Sequence, residues 1–128
     1  MSAERSDGSR LRRRIYAAQV NFQRQLRILM GREPLLKGIV YKLGRRCGKA
    51  GCRCRKGHLH EMWALSIPEQ GRKRMRSVPE DRRGQWRELA GAYRRFRKAR
   101  AALVKIFHEI LAGVDELEQE RTIPPPEA

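Results

Sequence analysis

The residues of this chain that are best suited to chemistry lie in one short basic stretch, RRCGKAGCRCRKGHLH, which runs from residue 45 to residue 60. All three cysteines of the sequence lie in an eight-residue segment inside this stretch, and two of the three histidines of the sequence follow them. Thiolate and imidazole are preferred donors for zinc, and four of them around one ion form a closed tetrahedral site. The spacing C-x4-C-x-C-x5-H therefore predicts one structural Zn2+ held by Cys47, Cys52, Cys54 and His60.

A second histidine of the stretch, His58, is an alternative fourth ligand because it follows Cys54 after three intervening residues. An iron–sulfur cluster normally takes four cysteines, and a redox-active pair normally has the spacing C-x-x-C, so both fit less well than zinc. The simplest alternative is three unliganded thiols in a basic loop, which the spacing disfavours.

The predicted metal site is structural rather than catalytic. Four protein donors close the coordination shell, whereas a catalytic zinc keeps one position open for water or substrate. The sequence HEMWA at residues 60–64 lacks the second histidine of a metalloprotease helix, and the chain contains neither a phosphate-binding P-loop nor a Rossmann fingerprint. We therefore expect no enzymatic activity.

The second feature of the sequence is its charge: 30 lysines and arginines stand against 14 acidic residues, which gives a net charge of +16. The cations lie mostly in the first 100 residues, because residues 101–128 carry 2 basic and 6 acidic groups. This balance favours an anionic partner, and we expect nucleic acid, with DNA favoured over RNA.

No apolar run has the length of a membrane span, and the chain opens without a signal-peptide pattern. The clustered cysteines suit a reducing compartment, so we expect a cytoplasmic protein without a membrane partner.

Candidate phosphate contacts fall into three groups of cations: those around the cysteines, those of a basic segment near residue 74 and those of a helical segment near residue 96. Zinc with three thiolates and a neutral imidazole carries a charge of about −1, so the six cations around it exceed what neutralisation requires. For the helical group, a solvated helix face without any ligand is an open alternative. The predicted contacts are Arg45, Arg46, Lys49, Arg53, Arg55, Lys56, Arg72, Arg74, Arg76, Arg94, Arg95, Arg97 and Lys98.

Residue periodicity predicts an α+β fold in one domain. Residues 10–31 have apolar residues at steps of three and four, which predicts an N-terminal helix. Residues 35–79 contain three β-type segments, GIVYKL, MWALSI and RKRMRSV, which predict a short three-stranded antiparallel meander with the zinc-knuckle loop between its first two strands. Residues 79–120 predict a long C-terminal amphipathic helix. The polar segment 1–9 and the proline-rich segment 121–128 are expected to be disordered.

The long helix carries a regular seam from Trp86 to Leu117, with apolar residues at alternating steps of three and four. Such a pattern predicts coiled-coil packing on the N-terminal helix, on a second copy of the chain or on a partner protein. The aromatic residues Trp63 and Tyr93 are expected in the core rather than stacked on bases.

Several short segments together resemble a known family. RRCGKAGCRC, GHLH, WALS, GRKRMRSVP and YRRFR, within about residues 39–107, are similar to segments of small prokaryotic proteins of unknown function. That family has the pattern CGKxxCxC…LHGPY, a basic strand that ends in VP and a helix with Y-x-x-F. The resemblance implies an architecture, the ligand cluster with His60, and a place near mobile genetic elements, as in transposon-associated proteins. This chain departs from the pattern at residues 61–63, where Glu-Met-Trp replaces Gly-Pro-Tyr.

The combined prediction is a zinc-stabilised basic protein that binds nucleic acid as an accessory protein associated with mobile elements. The competing prediction is a protein–protein adaptor that uses residues 86–117 of the long helix, with purely structural zinc and with a homodimer as one form. An accessory factor of a transposition complex, which contacts both DNA and an enzyme, would use the same surfaces.

Overall fold

A computed structural model of the chain describes residues 2–127, apart from the side chains of residues 2–7 and of Arg55. The predicted α+β class is confirmed: two helices accompany one three-stranded antiparallel sheet, and the cysteine cluster lies in a loop between two strands. In chain order the elements are α1 (Ser2–Leu29), β1 (Ile39–Arg45), β2 (His60–Glu69), β3 (Arg72–Ser77) and α2 (Arg83–Arg121), with short 3₁₀ turns at Arg53–Lys56 and Glu80–Arg82.

The sheet is a meander with the strand order β1-β2-β3. Its second hairpin is tight, because Glu69 pairs with Arg72 and only Gln70 and Gly71 connect them. Both connecting residues have positive φ, +48° and +79°, as a two-residue turn matched to the twist of the strands requires. This turn fixes the register of β3 against β2, and with it the face on which each arginine of β3 lies.

The two faces of the sheet carry different side chains. On one face Tyr41 of β1 lies opposite Ala64 of β2, and its hydroxyl is 3.5 Å from the sulfur of Met75 on β3. The Tyr41 side chain therefore spans β2, and Ala64 beneath it is 2 % exposed. The other face carries Trp63 and Leu65, and Leu65 is likewise 2 % exposed.

The residues divide into two compact units. One unit is Arg32–Arg95, with the sheet and the start of α2, and the other joins the chain up to Gly31 with the chain from Phe96 onward. In the first of these, the backbone N–H of Leu36 donates to the carbonyl of Leu89 at 3.2 Å and ties the segment before β1 to α2.

In the second unit, α1 and the later part of α2 run antiparallel. Arg14 of α1 forms an ion pair with Glu116 of α2 at 3.6 Å, and Ile15 packs against Gly113. A Cβ atom at position 113 would lie 2.7 Å from Cγ1 of Ile15, so the close approach of the helices requires glycine there.

All four helix bounds differ from the predicted ones, and the two N-terminal bounds differ most. Helix α1 begins at Ser2, so it includes most of the segment 1–9 that its polar composition predicts to be disordered. Gly8 is buried beside the Glu120 side chain of α2, and this tertiary packing is not visible in the local composition. Helix α2 begins at Arg83 rather than at residue 79, because Glu80–Arg82 form a 3₁₀ turn after Pro79.

The buried core of the described residues is small. Only Leu65 and Ile106 among its members are large aliphatic side chains, and alanines supply much of the rest. Small domains with so little apolar burial commonly depend on a metal or on oligomerisation for stability. Neither α1 nor α2 combines the length and the apolarity that crossing a bilayer requires, within the part of the chain that the structure describes. The buried apolar residues are Cys54, Ala64, Leu65, Val78, Ala90, Ala92, Ala99 and Ile106.

Candidate metal centre

The candidate metal centre is built by the loop that joins β1 to β2. The pairing of Arg45 with His60 closes this loop and places His60 at the first position of β2. Cys47 follows the end of β1 by two residues. Cys52 has extended backbone angles directly before the 3₁₀ turn Arg53–Lys56, and Cys54 lies within that turn. The sheet therefore positions one donor, and the turn positions two.

Backbone hydrogen bonds fold the loop back on itself. The N–H of Cys52 donates to the carbonyl of Lys49 at 3.3 Å, and the N–H of His58 donates to the carbonyl of Arg53 at 3.2 Å. Between these bonds, Gly57 ends the 3₁₀ turn with φ of +98°, a conformation that favours glycine. The chain can thus reverse within a few residues and return to β2.

Four donor atoms converge in this loop. The three sulfurs of Cys47, Cys52 and Cys54 and a ring nitrogen of His60 all lie within 4.8 Å of one another. The Cys47 and Cys54 sulfurs are 3.5 Å apart, and the Cys52 sulfur is 2.9 Å from Nε2 of His60. A tetrahedral zinc site has edges of about 3.8 Å between sulfurs and about 3.6 Å between sulfur and nitrogen, as follows from its bond lengths. Both of these separations are shorter than the ideal edges, and every pair of donor atoms lies within 4.8 Å, so the four residues are close enough to hold one metal ion and are compatible with a single structural zinc.

The structure distinguishes between the two candidate histidines. His60 belongs to the converging group, whereas His58, which the spacing left as an alternative, does not. His58 is exposed in the segment that leads to β2, and its backbone position is fixed by the bond to Arg53. The strand pairing of His60 thus brings its ring to the sulfurs.

The thiols of the group are in different electrostatic environments. A hydrogen bond from the backbone N–H of Cys54, assisted by hydrogen bonds from Cys47 and His60, lowers the pKa of the Cys52 thiol to about 6. The pKa of the Cys47 thiol is raised: the backbone N–H of Lys49 favours its thiolate, but the contacts with Cys52 and Cys54 outweigh this effect. Cys52 therefore offers a thiolate, the form that binds metal, at neutral pH.

Burial also differs along the group. Cys54 is 0 % exposed, Cys47 and Cys52 are half-buried, and His60 is exposed. The backbone N–H of Cys47 donates a hydrogen bond to the Cys54 sulfur, with 3.3 Å between the nitrogen and the sulfur. The donor group thus has one side inside the protein and one side open to water.

The cations predicted to contact nucleic acid around this loop lie at the surface. The side chain of Arg55 is outside the described residues, and the other predicted cations of the loop are exposed, namely Arg45, Arg46, Lys49, Arg53 and Lys56.

The predicted row on β3 shares one face of the strand. Arg72, Arg74 and Arg76 lie opposite Glu69, Ile67 and Leu65 of β2, and all three are exposed. Nη1 of Arg74 is 3.8 Å from a carboxylate oxygen of Glu69, an exposed pair that holds the side chain only weakly.

The predicted helical group is divided between the two compact units. Arg94 and Arg95 belong to the unit with the sheet, whereas Arg97 and Lys98 belong to the other. All four side chains are exposed, and Arg95 forms an ion pair with Glu88 at 3.1 Å.

Two further arginines were missed by the sequence reasoning. The guanidinium carbons of Arg83 and Arg87 lie 5.0 Å and 5.2 Å from the ring centre of Trp63, within the range of a cation–π interaction. Trp63, which was expected in the core, is only half-buried. The available signal was the spacing of the two arginines, which are four residues apart and so share one face of α2.

A shallow cavity of about 280 Å³ lies in the unit that contains the sheet. Ile39, Pro68 and Tyr93 contribute apolar surface, and Lys37, Lys73 and Arg94 are the cations of its lining. The residues that line it include no carboxylate. Lys37 and Lys73 are not among the predicted contacts, because residues so far apart in the chain become neighbours only in the folded structure.

Comparisons with known proteins give no family and no function for this chain. No protein-family model, no curated protein and no solved structure matches the chain. Functional conclusions therefore rest on the residues and their arrangement.

Proposed function

We propose that this protein is a zinc-stabilised, non-enzymatic protein that binds nucleic acid, DNA in preference to RNA, through exposed cations on and around its cysteine loop. The observation that carries the proposal is the overlay of two features in one loop. Four metal donors converge within 4.8 Å, and the described cations between β1 and β2 are exposed at the surface of that same loop.

Zinc is the metal that best suits the donor set. Three thiolates with one imidazole are a common structural zinc set, and hard cations such as magnesium prefer oxygen donors. Among the described residues, Leu65 and Cys54 are the largest side chains that are almost fully buried, so a cross-link at Cys54 would replace the apolar contacts that the small core lacks. The role of the metal would then be to hold the β1–β2 loop in one conformation, without any chemical step.

The sheet-containing unit presents cations that could contact nucleic acid at three places. Besides the loop, the unit presents the exposed row Arg72, Arg74 and Arg76, and cations at the cavity beside Tyr93. Phosphates are contacted mainly by arginine and lysine, and such contacts need no deep pocket. A charge of +16 spread over one chain supports a polyanion as the partner rather than a single small anion.

A salt series tests the proposal. Zinc-loaded protein is titrated into fluorescently labelled duplex DNA, duplex RNA and single strands of the same sequence, from low to physiological salt. Binding that neutralises about six phosphates gives a slope of roughly −5 for log K against log salt on B-DNA. If none of these nucleic acids binds measurably at low salt, the proposal is refuted.

A protein–protein adaptor is the second candidate function, and one observation favours it. Apolar side chains of α2 are exposed in the unit that lacks the sheet, with Phe107 half exposed. Exposed apolar surface of this kind commonly marks an interaction site. In that case the cations would serve an acidic protein, and affinity for nucleic acid would be weak and unspecific.

The cellular setting belongs to the same proposal. The cysteine-loop resemblance supports a role beside mobile genetic elements, and clustered thiols support a cytoplasmic location. The genes that neighbour the coding sequence test the first point, and fractionation of cells that express the tagged chain tests the second.

A further inference from the structure

Among the described residues, helix α2 carries an apolar stripe that is exposed. Val104, Phe107, Leu111 and Val114 follow one another at steps of three and four, and each retains 43–51 % of its surface exposed. Such steps place the four side chains on one face of the helix. They form a continuous seam of the kind that pairs with another helix.

A second stripe on the same helix is already used within the chain. Leu103, Ile106, Ile110 and Leu117 are buried or half-buried, and Gly113 in the same stripe packs against Ile15 of α1. Since this stripe accounts for the packing of α2 on α1, the exposed seam is additional. A helix with two adjacent apolar seams is typical of a bundle in which each helix has more than one neighbour.

The ends of the exposed seam carry opposite charges. Arg100 stands four residues before Val104, and Glu118 stands four residues after Val114, so both charges continue the same face. Both side chains are exposed.

The seam is symmetric about the level of Glu109. Val104 and Val114 are each five residues from Glu109, and Phe107 and Leu111 are each two residues from it. Arg100 and Glu118 are each nine residues away, on opposite sides. A helix that meets an identical antiparallel helix at this level places every member of the seam opposite its counterpart.

We infer that two copies of this chain associate through this seam, with their α2 helices antiparallel and crossing at the level of Glu109. Val104 then lies opposite Val114 of the second copy, and Phe107 lies opposite Leu111. Each Arg100 lies opposite a Glu118, and the pair occurs twice, as the twofold symmetry of an isologous interface requires. This contact between two copies requires neither zinc nor nucleic acid.

Charge complementarity selects a second copy in this direction. A parallel pair would place Arg100 against Arg100 and Glu118 against Glu118, and like charges at such positions disfavour association. The antiparallel pair replaces both repulsions with attractions while it covers the same four apolar side chains. The charged ends therefore set orientation and register, and the apolar residues supply most of the affinity.

The first test is the oligomeric state of the zinc-loaded full chain, measured by light scattering and by sedimentation equilibrium up to about 100 µM, a range that detects micromolar dimers. We expect a dimer for the wild-type chain. Leu111→Lys should raise the dissociation constant at least about a hundredfold, because two lysines would enter the seam. The matched control is Ala112→Lys, which adds the same charge at the neighbouring exposed position and should remain dimeric. A wild-type chain that is monomeric throughout this range overturns the inference and leaves the seam to a different protein.

The second test addresses register and does not alter the apolar residues. Arg100→Glu or Glu118→Arg alone should weaken the dimer roughly tenfold, because each creates two like-charge pairs. The double variant Arg100→Glu with Glu118→Arg restores both pairs and should restore wild-type association. Circular dichroism checks that all three variants keep the helix content of the wild type. If both single variants dimerise like the wild type, or if the double variant fails to recover, the antiparallel register is refuted.

Discussion

The sulfur of Cys52 lies 2.9 Å from Nε2 of His60, although the two residues are eight positions apart and only His60 belongs to a strand. This contact joins the loop to the sheet. It exists because Arg45 and His60 pair at the end of the hairpin, while the 3₁₀ turn directs the cysteines back toward the same point. The donor group is therefore a product of strand register as much as of cysteine spacing.

Substitution of Cys52 is expected to abolish stoichiometric metal binding. Cys52→Ser removes the thiol whose pKa is lowered to about 6 and leaves three donors for the ion. Structural zinc contributes apparent binding free energies of about 10–16 kcal/mol in small domains, so the melting temperature should fall as well. Elemental analysis of the purified chain, followed by thermal melting, measures both effects. If Cys52→Ser retains one zinc per chain and melts like the wild type, the metal assignment is wrong.

The two histidines should behave differently when each is replaced by alanine. His60→Ala removes a donor of the converging group and should weaken zinc binding by more than the roughly 10- to 100-fold that loss of an outer-shell partner costs, whereas His58→Ala should leave the affinity unchanged. Competition with a chromophoric chelator gives the affinities, and the absorption spectrum of the Co2+-substituted protein reports whether the imidazole is a ligand. A normal spectrum for His60→Ala together with a changed one for His58→Ala would reverse the assignment.

Neutral substitutions in the loop are expected to reduce the salt dependence of nucleic-acid binding. Arg46→Gln combined with Lys49→Gln removes two exposed cations beside the donors, and each phosphate contact that is lost should reduce the salt slope on B-DNA by about 0.9. Fluorescence anisotropy at several salt concentrations measures the slope.

The control for this experiment is a double variant that removes the same amount of positive charge at a different place in the chain. Arg12→Gln combined with Lys105→Gln removes two exposed cations that are not among the predicted contacts. An equal loss of slope in both double variants would mean that the affinity reflects overall charge rather than the loop.

Two glycines of the same helix should respond in opposite directions to alanine. At Gly113 the added Cβ would lie 2.7 Å from Cγ1 of Ile15, and overpacking of this kind typically costs about 1–3 kcal/mol of unfolding free energy. At Gly84 the added Cβ would meet no atom within 4 Å apart from its adjacent residues and the local helix backbone, so Gly84→Ala should stabilise the helix by up to about 1 kcal/mol. Urea denaturation followed by circular dichroism measures both. A Gly113→Ala variant as stable as Gly84→Ala would show that α1 and α2 do not pack as closely as described.

Local sequence signals were sufficient for most of the fold. The β-type segments are confirmed as the strands Ile39–Arg45, His60–Glu69 and Arg72–Ser77, and Gln70 and Gly71 form the turn between the last two. These features depend on periodicity and on turn residues, which are properties of neighbours along the chain. The metal donors were predictable for the same reason, because all four lie in one short stretch.

By itself, the sequence determined the α+β class, the order of the strands and the set of thiols that could serve one ion. Only the tertiary structure decided between His58 and His60, placed Arg83 and Arg87 on the Trp63 ring, and separated the apolar residues of α2 into a stripe that packs on α1 and one that is exposed. The physical reason is that each of these outcomes depends on strand register or on the direction of a helix face toward a distant segment. Residue spacing gives the periodicity of such a face, whereas the packing of the rest of the chain decides which side it turns inward.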